Sequence, residues 1–279
     1  MINKDKWAES IKDFQEKKLP SLYRREIEIP TERPVKRAVS IIGPRRSGKT
    51  YEMYLLIRKL VEKYNKKRIL YVNFERADLG LVKREDLVKM KEVYYELFPE
   101  FKDKEVWFFL DEIQNVDGWE KFVRTCLDEE INVYLSGSSS KMLSQEIATS
   151  MRGRNLPYKI LPFSFREFLD TKNIDYKNHL SSKQKSNIKN LFNKYLKFGG
   201  YPEVIIHRKE REKILKDIYD TALYRDVVDR ANIRNTKVME LLINALVKSK
   251  EFSVNKFYNF LKSSNIKASK THYIIILAI

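Results

Sequence analysis

The stretch Gly43-Pro44-Arg45-Arg46-Ser47-Gly48-Lys49-Thr50 constrains this chain more than any other. It fits the pattern G-x-x-x-x-G-K-[ST] at every fixed position, and its flanks supply the context that the pattern needs. Ahead of it, Ala38-Val39-Ser40-Ile41-Ile42 is a short, β-branched apolar run that reads as a buried strand. Behind it, residues 51–60 read as a helix. Strand, glycine loop and helix in that order surround a phosphate group with backbone N–H groups and the positive end of a helix. Lys49 is placed to reach β- and γ-phosphates, and the Thr50 hydroxyl to take a position on Mg2+. The candidate nucleotide-binding residues are therefore Gly43, Pro44, Arg45, Arg46, Ser47, Gly48, Lys49, Thr50 and Tyr51. A chance match in an ordinary βα turn is disfavoured because both flanking elements are present.

Around this loop the pattern alternates. Strands are expected at 38–42, 68–74, 105–110, 131–136 and 156–161, with helices near 49–64, 85–97, 119–130 and 140–151. Five strands with intervening helices predict an α/β fold with a mostly parallel sheet. Such sheets bind ligands at the carboxyl ends of their strands, where the glycine loop lies.

The third strand runs Val106-Trp107-Phe108-Phe109-Leu110 and delivers two carboxylates, Asp111 and Glu112, at its carboxyl end. Asp111 is placed to hold Mg2+ or one of its waters, and Glu112 to orient or activate a water for attack on a γ-phosphate. Two solvated acids at a strand end are common; behind a glycine loop the pair reads as chemistry. The fourth strand ends in Ser136-Gly137-Ser138-Ser139-Ser140. Ser138 and Ser139 are candidates to sense the γ-phosphate, and Ser140 fits a helix N-cap; turn chemistry alone is the alternative. Arg152 and Arg154 flank Gly153 before the fifth strand. They are either surface or helix-end cations or guanidinium groups that reach a nucleotide on a neighbouring subunit.

Taken together, Gly43–Thr50, Leu110-Asp111-Glu112-Ile113-Gln114, Ser136–Ser140 and Arg152-Gly153-Arg154 resemble an AAA+ ATPase. The resemblance is to prokaryotic, especially archaeal, members with a C-terminal winged helix. Asp117-Gly118-Trp119-Glu120, Pro162–Phe168 and Phe198-Gly199-Gly200-Tyr201-Pro202 extend it over nearly the whole chain. It implies a P-loop NTPase (AAA+) parallel-sheet core at 36–165 behind an N-terminal arm at 1–35, then a helical lid at 166–235 and a partial winged-helix domain at 236–279. In family terms Lys49 and Thr50 are Walker A, and Asp111 and Glu112 are Walker B. Ser139 or Ser138 is the sensor position, and Arg152 and Arg154 match the arginine-finger region. One departure stands out. Many members carry Gly-x-Pro-Arg at the start of a lid helix, whereas this chain reads Gly200-Tyr201-Pro202-Glu203, and a carboxylate cannot replace a guanidinium in sensing phosphate.

Charge and composition bear on partners. The 279 residues carry a net charge of +17, and 43% are hydrophobic, enough for a packed core. From Ser181 onward 20 Lys and Arg stand against 9 Asp and Glu. That surplus fits either a polyanion such as DNA or the Lys-rich solvated surface that thermal stability favours. One cysteine, Cys126, excludes an internal disulfide or a Cys cluster for zinc. The start lacks an apolar signal core, and the longest apolar run, Ile274–Ile279, is too short to span a bilayer. A cytoplasmic protein with no membrane partner is expected.

The flanks of the core are read as follows. Trp7, Ile11 and Phe14 recur at helical spacing, ended by Pro20. Residues 23–29 are a packing arm or an adenine flank. Tyr224–Arg230 is a subunit contact or a solvated helix face. In the last segment, helices at 238–247 and 254–263 and a third capped near Ser269-Lys270-Thr271 give helix-turn-helix order, with Lys267, Lys270, His272 and Tyr273 near the third helix's exposed start. DNA and a protein partner are the alternatives there. The apolar finish, without the strands of a wing, reads as a truncated chain or an interrupted gene, and an exposed apolar end favours association. ATP is expected over GTP, since no Asn-Lys-x-Asp guanine signature occurs. The expected activity is Mg2+-dependent ATP hydrolysis coupled to DNA, in a homo-oligomer or with a protein partner. The alternative is a slow nucleotide-dependent switch that signals to a protein.

Overall fold

A computed structural model describes residues 2–32, 35–138, 151–224, 236–249 and 251–264. They divide into two compact units, Met1–Ile214 and Leu215–Ile279. In the first, β1 (Ala38–Gly43), β2 (Ile69–Asn73), β3 (Trp107–Asp111), β4 (Asn132–Ser138) and β5 (Asn155–Lys159) form one sheet in the order β2-β3-β4-β1-β5. Every pairing is parallel, as the strand–helix alternation leads one to expect.

β1, β2 and β3 read as near-continuous apolar runs because both faces of the sheet are covered there, whereas β5, at the sheet edge, is only partly buried. Alternate residues serve opposite faces. On β3, Trp107 and Phe109 join Val39, Ile41 and Tyr134 beneath α2 (Lys49–Val61). Phe108 and Leu110 join Val72, Val133 and Leu135 under α3 (Arg84–Leu97) and α4 (Trp119–Asp128).

The amphipathic start forms α1 (Lys4–Glu16), which ends before Pro20. Its buried stripe of Trp7, Ile11 and Phe14 is shared between both clusters. The Gln15 amide donates to the carbonyl of Ile69 at 2.9 Å. A helix thus covers β2, an edge strand that would otherwise expose unpaired backbone groups.

After β5 come α5 (Phe165–Asp170), α6 (Ser182–Phe198) and α7 (Pro202–Ile206), and then α8 (Arg211–Thr221). Phe163, Phe168, Leu169 and Ile205 are the core of this helical segment, with Leu191 and Tyr195 of α6 packed against them. Capping boxes at Ser164/Glu167 and Ser181/Gln184 start α5 and α6. The boundary between units falls within the stretch read as the lid.

The second unit holds α9 (Thr236–Lys248) and α10 (Val254–Ser263), whose Val238, Met239, Leu242, Phe257 and Leu261 share one apolar cluster with Leu223. Both helices agree with the sequence reading. The third helix, with Lys267, Lys270, His272 and Tyr273, the apolar finish, and residues 225–230 lie outside the described residues, as does the helix read near 140–151 apart from Met151. Among the described residues no helix is long and apolar enough to cross a membrane.

Candidate active site at the carboxyl ends of β1 and β3

β1 runs into the glycine loop through a tight backbone contact. A Cβ on Gly43 would meet the Ile160 carbonyl oxygen at 2.1 Å, so only glycine lets the two segments approach this closely. The loop then turns through two left-handed residues, Arg46 (φ 60°) and Gly48 (φ 99°), and Gly48 caps the start of α2. The first N–H groups of α2 are therefore presented at the loop, where a helix N-terminus favours an anion. Lys49 is buried in the loop. Its ammonium donates to the carbonyls of Gly43 at 3.3 Å and Pro44 at 3.2 Å, and lies 3.7 Å from Glu112 Oε1. Tyr51 faces outward on the first turn of α2, half exposed.

The two carboxylates differ sharply in surroundings. Asp111 is fully buried. Its Oδ2 accepts from Thr50 Oγ1 at 2.8 Å, Tyr71 Oη at 2.8 Å and Asn73 Nδ2 at 3.3 Å. Its Oδ1 accepts from Ser136 Oγ. Burial pushes the Asp111 carboxyl up, opposed by the hydrogen bonds from Ser136, Tyr71 and Thr50. Glu112 follows with left-handed backbone (φ 55°), which turns its side chain out of the strand's register toward Lys49. The Gln114 amide donates to Glu112 Oε2, and the Glu112 N–H donates to Ser136 Oγ at 3.0 Å. Ser136 thus ties both acids to β4.

The residues fit Mg2+. A small, hard divalent cation takes oxygen ligands and keeps several waters. Thr50 Oγ1 and the Asp111 carboxylate are oxygen donors held together, and every donor to Asp111 is a neutral group, leaving its charge uncompensated by a side-chain hydrogen bond from a cation. Among the described residues no cluster of three or more His, Cys, Asp or Glu side chains forms a self-sufficient metal cage.

Several contacts were not visible in the sequence. Arg25, on the segment read as a packing arm or adenine flank, donates through Nε to Glu167 Oε1 at 2.8 Å, with both side chains buried. Its Nη1 donates to the Ser47 carbonyl at 3.2 Å and its Nη2 to the Leu161 carbonyl at 2.5 Å. One guanidinium therefore joins the glycine loop, the end of β5 and the first turn of α5. Glu203, the carboxylate of the Gly200-Tyr201-Pro202-Glu203 segment, accepts from Arg46 Nη1 at 3.0 Å. The cation of that pair sits on the glycine loop and the carboxylate on α7. Pro202 lies on the same side, 3.7 Å from a Cβ built on Gly48.

Other candidates stand apart. The Arg154 carbonyl accepts from Ala38 N at 3.0 Å and its guanidinium donates to Asp128 at 2.5 Å. Arg154 is thus at the amino end of β1, away from the glycine loop, and Arg152 is exposed beside it. A role at a nucleotide for either arginine requires the site of another chain. Ser138 pairs with Gly43 in the sheet; Ser139 and Ser140 lie outside the described residues.

Residues 35–169 match the family model described as an AAA domain. Residues 189–274 match a domain of unknown function, DUF8612, which does not carry the winged-helix reading. The chain is 41% identical over 234 residues to an uncharacterized protein of Methanocaldococcus jannaschii, covering 82% of this chain and 51% of that protein. It is 33% identical over 238 residues to an uncharacterized protein of Haemophilus influenzae, covering 82% of this chain and 56% of that protein. The chain thus spans about half the length of these relatives. Among solved structures, AMPPCP-bound DnaA from Aquifex aeolicus is similar at 14% identity and a TM-score of 0.34, over 88% of this chain and 82% of that one. Likeness at that level says nothing about activity.

Proposed function

We propose that the chain binds ATP and hydrolyses it with Mg2+, and that its basic C-terminal third couples turnover to DNA. The observation that carries the reading is the convergence of Lys49, Thr50, Asp111 and Glu112 at the carboxyl ends of β1 and β3, the two strands that flank β4. The match of residues 35–169 to an AAA domain supports it. The loop N–H groups and Lys49 bind and orient the phosphates. Thr50 and Asp111 are the residues to hold Mg2+, which supplies charge neutralisation at the phosphate oxygens when bound. Glu112 orients the attacking water and takes its proton, and its placement beside Lys49 puts the base next to the phosphate-binding cation. Ser139 is assigned to sensing the γ-phosphate, and Arg152 and Arg154 to completing the site of a neighbouring copy in a homo-oligomer. DNA contact is assigned to residues 236–279, where 7 Lys and Arg stand against 2 Asp and Glu.

One observation favours a second reading, a slow switch acting on a protein partner. Where the AAA+ resemblance implies a phosphate-sensing arginine, the chain presents Glu203, already paired with Arg46. Phosphate release, with and without duplex DNA, separates the two. Turnover stimulated by DNA supports the coupled ATPase. Slow turnover indifferent to DNA, with nucleotide retained, supports the switch. No Mg2+-dependent release and no ATP binding would remove both.

A further inference from the structure

We infer that Tyr71 is a positioning residue for Asp111, and through it for the divalent cation of the nucleotide; this rests on the ATP-hydrolysing reading of the same site. β2 is an apolar strand buried on both faces, and packing alone would accept phenylalanine or leucine at position 71. The chain places a phenol there, and its hydroxyl donates to Asp111 Oδ2 at 2.8 Å. Tyr71 and Asn73 share one face of β2, and Asn73 is in register with Asp111, so two donors from one strand converge on one carboxylate oxygen.

The ring is held from both sides. Phe14 of α1 lies 5.0 Å away and Tyr54 of α2 5.2 Å away, centroid to centroid. The Tyr54 hydroxyl donates to Tyr71 Oη at 3.2 Å, which leaves the Tyr71 proton free to point only at Asp111. Lys17 Nζ in turn donates to Tyr54 Oη at 3.5 Å. The series Lys17, Tyr54, Tyr71, Asp111 therefore runs in one donor direction, and a hydrogen bond delivered to a charged acceptor is strengthened by the donors behind it.

The consequence falls on Thr50. Its hydroxyl has one proton, given to the same Oδ2. While Asp111 stays a fixed, charged acceptor, the Thr50 lone pairs are kept for a cation. Removing the Tyr71 hydroxyl leaves a fully buried carboxylate with one donor fewer and a less defined rotamer. The lost preference is paid in cation affinity rather than in nucleotide contacts, which the glycine loop makes.

The test is a Mg2+ titration of Tyr71→Phe, read by the rise in Tm with a non-hydrolysable ATP analogue, alongside hydrolysis at limiting and saturating Mg2+. The expected result is a midpoint about 5-fold higher than wild type, a hydrolysis deficit at limiting Mg2+ that closes at high Mg2+, and unchanged analogue affinity in EDTA. Tyr54→Phe, which removes the bracing donor, moves the midpoint the same way by less. Phe14→Leu loosens the packing of the same ring without touching a hydroxyl and leaves the midpoint in place. Wild-type midpoints in both tyrosine variants, or an equal shift in Phe14→Leu, overturn the inference while the wild type still responds to Mg2+. A wild type that shows no Mg2+ response overturns the hydrolytic reading instead.

Discussion

Replacing Arg25 with alanine should loosen the glycine loop and the segment that follows β5 together. The Arg25 and Glu167 side chains are 7% and 6% exposed. Truncation removes the ion pair, two hydrogen bonds to the Ser47 and Leu161 carbonyls, and the stacking of the guanidinium 4.7 Å over the Phe163 ring. Breaking a buried pair from one side costs roughly 3–5 kcal/mol because the other charge stays behind. Here the stranded carboxylate keeps two donors, the N–H groups of Glu26 at 2.8 Å and Ser164 at 2.9 Å. That places the expected loss near the lower bound, about 3 kcal/mol, or roughly 6–12 °C in Tm for a unit of this size. ATP affinity should fall at least about 5-fold, since the Ser47 carbonyl loses its anchor. Chemical denaturation gives the stability and fluorescent-nucleotide titration the affinity. Arg25→Met combined with Glu167→Gln should recover about 1 kcal/mol relative to Arg25→Met alone, because the second change removes the stranded charge. A loss below about 1 kcal/mol in Arg25→Ala, in the range of a surface pair, with unchanged affinity, would refute the claim that this guanidinium organises the loop.

Three further outcomes follow from the same geometry. Gly43→Ala puts a methyl group 2.1 Å from the Ile160 oxygen; the loop must shift, at about 1–3 kcal/mol in stability and at least about a 10-fold loss of ATP affinity by titration. Burial pushes the Glu52 carboxyl up from 4.5 to about 7, against the pull of Arg25 and Lys59. The folded chain therefore holds that proton more tightly than the unfolded chain. The stability it contributes is full below pH 4.5 and lost as pH rises through about 7, an effect of about 3 kcal/mol; denaturation without nucleotide should show Glu52→Gln flattening that slope. Burial pushes the Cys126 thiol up to about 12, so at pH near 8 it should react with a thiol reagent only after denaturation, and rapid labelling of the native protein would place it elsewhere.

The sheet and the glycine loop were legible because strong local signals agreed with the global pattern. The G-x-x-x-x-G-K-T spacing, the apolar run before Asp111 and the helical stripe of Trp7, Ile11 and Phe14 each determine their own structure. What stayed hidden was long-range. Arg25 and Glu167 are separated by 142 positions, and each alone reads as a surface charge. Tyr71 reads as one more apolar residue of a buried strand; the register pairs it with Phe109 and its neighbour Asn73 with Asp111, and only the fold shows its hydroxyl reaching that carboxylate. The sequence points to Ser138 and Ser139, and nothing in it marks Ser136, whose hydroxyl contacts both acids. Glu203 was visible as a departure, but its partner Arg46 was not, because pairing across 157 positions leaves no periodic trace.

Phosphate release from Mg2+·ATP by wild type and Glu112→Gln, with ATP affinity measured on the same preparations, separates catalysis at this site from nucleotide binding. Glu112 is held by Lys49 and Gln114 beside the glycine loop, and the glutamine preserves its size while removing the base. ATP affinity should stay within about 3-fold of wild type while the rate falls about 100-fold or more. A variant that hydrolyses ATP at the wild-type rate would contradict the assignment of the reaction to this site.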